Sequence, residues 1–173
     1  DVLHIVDVKR REIEVTYDFE FDGLYSPTWS PDGEKIAFMA VKNGRSDIYI
    51  FNLKTNRYRN MTKDIFSDLQ PSWSPDGRWI AFVSDRGNKI RPEERENVKI
   101  QHEDFRNHDL YLLDVETGEI RRITRTPYKE RDPSWAPDGK RLVYSADKNG
   151  IFNLFVYNLE TQENYPGGRI ILL

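Results

Sequence analysis

An all-β fold, a β-propeller of four-stranded antiparallel blades present as a partial ring of about three and a half blades, is predicted by three observations. One phrase is written three times: Trp29-Ser30-Pro31-Asp32-Gly33, Trp73-Ser74-Pro75-Asp76-Gly77 and Trp135-Ala136-Pro137-Asp138-Gly139. Each copy runs into an apolar stretch of one design, Lys35-Ile36-Ala37-Phe38, Trp79-Ile80-Ala81-Phe82 and Arg141-Leu142-Val143-Tyr144. A second phrase then follows: Asp47-Ile48-Tyr49-Ile50, Asp109-Leu110-Tyr111-Leu112 and Asn153-Leu154-Phe155-Val156. The tryptophans lie 44 and then 62 residues apart. A repeat of that length holding about four short strands is the signature of a propeller blade.

The elements follow in order. An inner strand ends at Trp29 and turns through Ser30-Pro31-Asp32-Gly33, where proline presets φ and glycine accepts the positive φ that closes the turn. A second strand runs from Lys35 to Val41. After Asn43-Gly44 a third strand covers Asp47 to Leu53, and beyond Lys54-Thr55-Asn56 an outer strand lies near Arg57 to Thr62. At the N-terminus, Leu3 to Val8 aligns with Ile48 to Leu53, and His4 falls where Tyr49 and Tyr111 stand, as a packed strand residue. The expected units are a half blade over 1–22, a blade over 23–66, a blade over 67–128, a blade over 129–166 and an atypical tail over 167–173. The second full blade carries an 18-residue insertion around 88–107.

Each blade buries its faces against its neighbours, and closed rings take about 4–8 of them. The remaining blades are therefore expected from chain outside this sequence or from self-association. The three tryptophans are expected as wedges between blades, since an aromatic ring buries about 150–250 Å². Asp32, Asp76 and Asp138 read as turn carboxylates, because one role repeated three times argues for architecture.

Composition narrows the function. The 173 residues hold 26 basic and 29 acidic side chains, a net charge of −3, and no cysteine. Thiolate metal sites and disulfides are excluded, and no clustered basic face speaks for nucleic acid. No apolar run approaches the ~18 residues of a membrane-spanning helix. Neither a nucleophile elbow, a His-Glu-x-x-His pair nor a phosphate-cradling glycine loop is present, so an enzyme is not expected.

Blade two strings together Pro-Ser-Trp-Ser-Pro-Asp-Gly, Ile-Ala-Phe, Ser-Asp-Arg-Gly, Asp-Leu-Tyr and Arg-Arg-Ile-Thr. This series resembles the TolB-type, WD40-like propeller repeat, and the likeness covers nearly the whole chain. The resemblance implies a bacterial periplasmic or cell-envelope scaffold that binds a protein or peptide partner. The same repeats occur in propellers that gate prolyl-oligopeptidase-like serine peptidases, so the alternative is such a propeller with its catalytic domain outside this chain.

Loops between blades and loops joining second to third strands share one rim, around the mouth of the central channel. The insertion belongs to that rim, and long loops often carry function. Pro92 with two following glutamates could open a short helix there, while Val98 and Ile100 could extend a hairpin. Partner contacts are expected from Asp68, Arg86, Arg91, His102, His108 and Arg131. The cluster His102, Glu103, Asp104, His108 and Asp109 has metal-ligand chemistry, but its spacing matches no established motif. No metal and no cofactor are expected.

Overall fold

The computed structural model describes residues 1–96, 98 and 105–167. Among them fourteen strands build four antiparallel sheets. β1 (Val2–Asp7) and β2 (Glu12–Asp18) form a two-stranded sheet. β3 (Gly23–Trp29), β4 (Lys35–Lys42), β5 (Arg45–Asn52) and β6 (Arg57–Asn60) form the first four-stranded sheet. β7 (Asp68–Trp73), β8 (Trp79–Ser84), β9 (Asp109–Asp114) and β10 (Ile120–Arg122) form the second. β11 (Glu130–Trp135), β12 (Arg141–Lys148), β13 (Ile151–Asn158) and β14 (Glu163–Pro166) form the third. In every sheet the strands lie in chain order, each pairing with its sequence neighbour. This is the meander of a propeller blade.

The repeated turns have the chemistry their residues dictate. Ser30 Oγ accepts the Lys35 N–H at 2.9 Å and Asp32 Oδ1 accepts the Glu34 N–H at 2.9 Å. Ser74 and Asp76 do the same for Trp79 and Arg78, at 2.8 and 3.0 Å. In the third copy Ala136 has no hydroxyl, and Asp138 alone serves, taking the Lys140 N–H at 2.9 Å. Gly33, Gly77 and Gly139 hold φ of 71°, 72° and 68°. A methyl group at Gly33 meets no atom within 4 Å. Gly33→Ala is therefore expected to cost only the strain of a side chain on the left-handed backbone, about 1 kcal/mol of stability, read as a lowered urea midpoint at unchanged slope.

Alternation along the strands gives each sheet two apolar faces, and three cores result. Leu3, Phe19 and Phe21 pack with Phe38, Tyr49 and Phe51 between the two-stranded sheet and the first four-stranded one. Ala37, Ile48 and Met61 meet Trp73, Phe82, Tyr111 and Ile120 between the first and second. Val83, Leu110 and Leu112 meet Leu142, Tyr144 and Tyr157 between the second and third. Each fully buried large side chain contributes about 1.5–3 kcal/mol.

Two expectations need correction. Only Trp73, 7% exposed, is a fully packed wedge. Trp135 is half-buried, and its Nε1 donates to the Ser72 carbonyl at 3.1 Å, tying the third sheet to the second. Trp29 is 50% exposed, because the sheet preceding it has only two strands and leaves that part of its face uncovered. His4 is not packed: it lies on the exposed face of β1, with Nδ1 2.9 Å from the Thr16 hydroxyl.

The insertion leaves β8 at Asp85 and forms the short helix α1 (Pro92–Glu96). Glu94 in its first turn accepts the Ile90 and Arg91 N–H groups at 3.1 and 2.9 Å, and an acid there favours the start of a helix. Ile90 packs against the core between the first and second sheets. Among the described residues no helix is long and apolar enough to cross a membrane.

Candidate functional site

The inner strands β3, β7 and β11 share an irregularity that shapes the end of the channel. Pairing slips between Tyr25 and Thr28, between Leu69 and Ser72, and between Arg131 and Ser134. At each slip a residue other than glycine adopts a left-handed backbone: Ser26 (φ 50°), Gln70 (54°) and Asp132 (54°). Each is followed by a proline, Pro27, Pro71 or Pro133. Proline has no N–H for the ladder, so a bulge is the arrangement that tolerates it inside a strand. Bulges re-aim side chains, and backbone strain concentrates where a fold holds a functional surface. The Gln70 amide donates to Asp132 Oδ1, and the Asp132 N–H donates to Gln70 Oε1 at 3.0 Å. Neighbouring inner strands are thereby tied at the bulge.

A cavity of about 360 Å³ opens there, lined by Tyr25, Ser26, Leu69, Gln70, His108, Lys129, Glu130 and Arg131, with Met39 and Val83 at its base. It draws residues from all three four-stranded sheets. The Arg131 guanidinium lies 4.9 Å from the Phe152 ring centroid. Burial pushes the His108 imidazole below its ordinary value; Asp85 opposes that, and Lys129 and Arg131 reinforce it. The neutral imidazole offers one donor and one acceptor.

Beneath the mouth lies a buried ionic cluster. Arg86 Nη2 reaches the two Asp68 carboxylate oxygens at 2.5 and 2.6 Å, and Nη1 lies 3.0 Å from Asp64 Oδ2. Its Nε donates to Ser84 Oγ at 3.0 Å, and its guanidinium sits 5.4 Å from the Phe82 ring centroid. Burial opposes the charge, but Asp68 and Asp64 outweigh it and hold the guanidinium above its ordinary value. Asp47 adds a third buried carboxylate, with oxygens of Asp47, Asp64 and Asp68 within 4.8 Å of one another. Burial raises Asp47, while the Asn60 amide at 2.8 Å and the Asp64 N–H at 3.2 Å oppose it. The guanidinium pairs with Asp64 and Asp68, while the Asp47 carboxylate is met by Asn60, Thr62 and the Asp64 N–H.

Glu130 occupies the place on β11 that Asp68 holds on β7. It accepts the Leu110 N–H at 3.0 Å and the Thr126 hydroxyl at 3.0 Å, and pairs with the Thr124 hydroxyl. Among the described residues no cation pairs with it, and burial pushes it up to about 7.

The expected partner contacts thus separate. His108 and Arg131 come together in the cavity wall. Asp68 and Arg86 are each 0% exposed and committed to one another, so a partner on this surface does not reach them. Arg91 is exposed but lies elsewhere: it pairs with Glu94 at 2.9 Å and borders a depression along β10 with Pro92, Gly118 and Ile120. His102, with Glu103 and Asp104, lies outside the described residues. Asp109 is held within the chain by Arg122 Nη2 at 2.6 Å and the Thr126 N–H at 3.1 Å. Sequence reasoning missed Ser26, Gln70 and Asp132. Their signal is the proline that recurs two residues before each repeated tryptophan, a position inside a strand where proline demands a bulge.

Stacked meander sheets around a polar channel mouth define a segment of a β-propeller. The family profile of the TolB beta propeller domain matches residues 2–92, more than half of the chain, and the chain belongs to that family. It is similar to dipeptidyl-peptidase 5 of Porphyromonas gingivalis, with 31% identity over 154 residues, 82% of this chain and 20% of that protein. It is also similar to the Tol-Pal system protein TolB of Bordetella pertussis, with 27% identity over 131 residues, 73% of this chain and 25% of that protein. Among solved structures, TolB from Acinetobacter baumannii superposes with a TM-score of 0.68 at 23% identity, over 93% of this chain and 36% of that one. The chain therefore spans a fifth to a quarter of these curated relatives, and the structural likeness is one of fold.

Proposed function

We propose that this chain is a non-catalytic part of a TolB-type propeller that binds a protein or peptide at the channel mouth, in the cell envelope. The observation that carries the reading is the cavity where three strained inner-strand bulges converge on His108, Lys129 and Arg131. Such a surface offers a few cationic and polar anchors held on rigid strands, with an apolar floor of Met39 and Val83. Interfaces use that combination of central anchor and polar rim. The insertion contributes from its returning end, where the Phe105 ring lies 6.1 Å from Phe66 and the Asn107 amide donates to the Thr126 carbonyl at 2.6 Å. In this reading the remaining blades of the ring come from further chain or from self-association.

A photo-crosslinking residue in place of Lys129 tests this in an envelope extract of the source organism. One discrete adduct is expected, and Arg131→Glu should reduce it at least tenfold. The reading is overturned if the adducts match those formed by the same residue placed at Thr55, in the turn at the opposite rim.

The 31% identity to dipeptidyl-peptidase 5 favours a second reading, in which this propeller gates a serine peptidase domain carried by the same polypeptide. Labelling of the full-length gene product by a fluorophosphonate probe would establish it, and absence of labelling would remove it.

A further inference from the structure

The two seams between the three four-stranded sheets are filled differently. Between the first and second, Met61, Ile120 and Ile90 carry apolar packing out to the outer strands. Between the second and third, a groove of about 490 Å³ runs from the turns at Ser74 and Gly139 to Arg125. A smaller cavity of about 230 Å³ continues along the same seam beside Tyr128 and Phe155. The larger volume falls within the ~300–1,000 Å³ typical of ligand sites.

The groove is basic and aromatic in a chain whose net charge is −3. Trp79, Trp135 and Tyr157 form its walls, and Arg121 and Arg125 stand exposed at its edge. The Arg121 guanidinium lies 5.0 Å from the Trp79 ring centroid, and that of Arg78 lies 5.0 Å from it as well. Stacking of this kind holds a guanidinium in place while its N–H edge stays open to a ligand. Arg121 pairs with Glu119 at 3.1 Å, both side chains being more than half exposed, a pair worth about 0–1 kcal/mol that an incoming carboxylate can displace. Arg125 has no hydrogen-bond or ion-pair partner among the described residues. The carboxylate that lines the groove, Asp76, is engaged in its own turn with the Ser74 hydroxyl and the Arg78 N–H.

We propose that this seam docks an extended, carboxylate-bearing peptide segment of a partner protein, with Arg121 and Arg125 receiving the carboxylates and the aromatic walls receiving the side chains between them. The seam is separate from the channel mouth: the residues lining the two do not overlap. Bidentate pairing suits the planar guanidinium, and charge complementarity favours an acidic segment over a basic one.

The test is fluorescence anisotropy of the intact 173-residue chain with a fluorescein-labelled eight-residue peptide of alternating glutamate and valine. Saturable binding that weakens with added salt is expected. Arg121→Glu/Arg125→Glu should weaken it at least tenfold, and Arg121→Gln/Arg125→Gln by less, both with an unchanged thermal midpoint. Arg57→Glu/Arg59→Glu makes the same change of charge on β6 and should leave binding as it was. The proposal is overturned if the intact chain shows no saturable binding, if the groove variants bind as the parent does, or if the β6 variant loses as much. Loss on Arg131→Glu alone would move the site to the channel mouth. Equal binding of octalysine or of an eight-nucleotide uridylate would overturn the chemistry assigned to the peptide.

Discussion

Arg86→Met is expected to destabilise the chain by about 3–5 kcal/mol, the cost of breaking a buried ion pair from one side. The guanidinium is enclosed by Asp64, Asp68, Ser84 and three aromatic rings, and no solvent reaches it. Removing it leaves two buried carboxylates without their counter-charge, and desolvation of each costs several kcal/mol. Methionine keeps most of the volume, so the loss reports charge more than cavity. Arg86→Met combined with Asp64→Asn and Asp68→Asn should recover part of the loss, since the amides bury no charge. Equilibrium unfolding in urea measures both. A midpoint for Arg86→Met equal to that of the parent would show that the cluster contributes nothing to stability.

Glu130→Gln is expected to act in the opposite direction, stabilising the fold by about 2–3 kcal/mol at pH 8, since each unit of pKa difference corresponds to ~1.4 kcal/mol. Burial places the folded carboxyl at about 7, against an ordinary value of 4.5. Between those values the folded state binds the proton and the unfolded state does not. The stability contributed by this group is therefore full below pH 4.5 and is lost as pH rises through 7. The glutamine variant keeps an acceptor for the Leu110 N–H and the Thr124 hydroxyl, and it carries no charge to bury. Its advantage should shrink between pH 7 and 5 and vanish below pH 4.5. Thermal midpoints of the two proteins across that range decide it: an advantage that grows toward acid pH would reverse the assignment.

The fold was legible because the repeat writes its own boundaries. Ser-Pro-Asp-Gly can close only a tight turn, and the alternation in Lys35 to Val41 or Trp79 to Ser84 suits only a two-faced strand. The all-β propeller arc followed from those residues. The geometry of the candidate site was legible in part. His108 and Arg131 were expected on one rim because they flank the entrances to strands, and they line one cavity. Asp68 and Arg86, expected as partner contacts, are buried against one another. In sequence a charge looks solvated, and only the approach of Asp64 from the previous connection shows that three side chains close on themselves. The exposure of Trp29 was equally invisible, because a repeated residue carries no record of what stands opposite it. The bulges at Ser26, Gln70 and Asp132 were written in the recurring prolines, a backbone signal that side-chain chemistry does not reveal.

Every strand pairs with its neighbour in the chain, and this has a kinetic consequence. Hairpins closed by two residues, such as Asn43-Gly44 and Asn149-Gly150, form with little loss of loop entropy. The hairpin of β8 and β9 must instead close the connection 85–108, and each doubling of loop length adds about 0.6 kcal/mol. The middle sheet is thus the slow one to assemble, and the sheets on either side provide the templates on which it zips up.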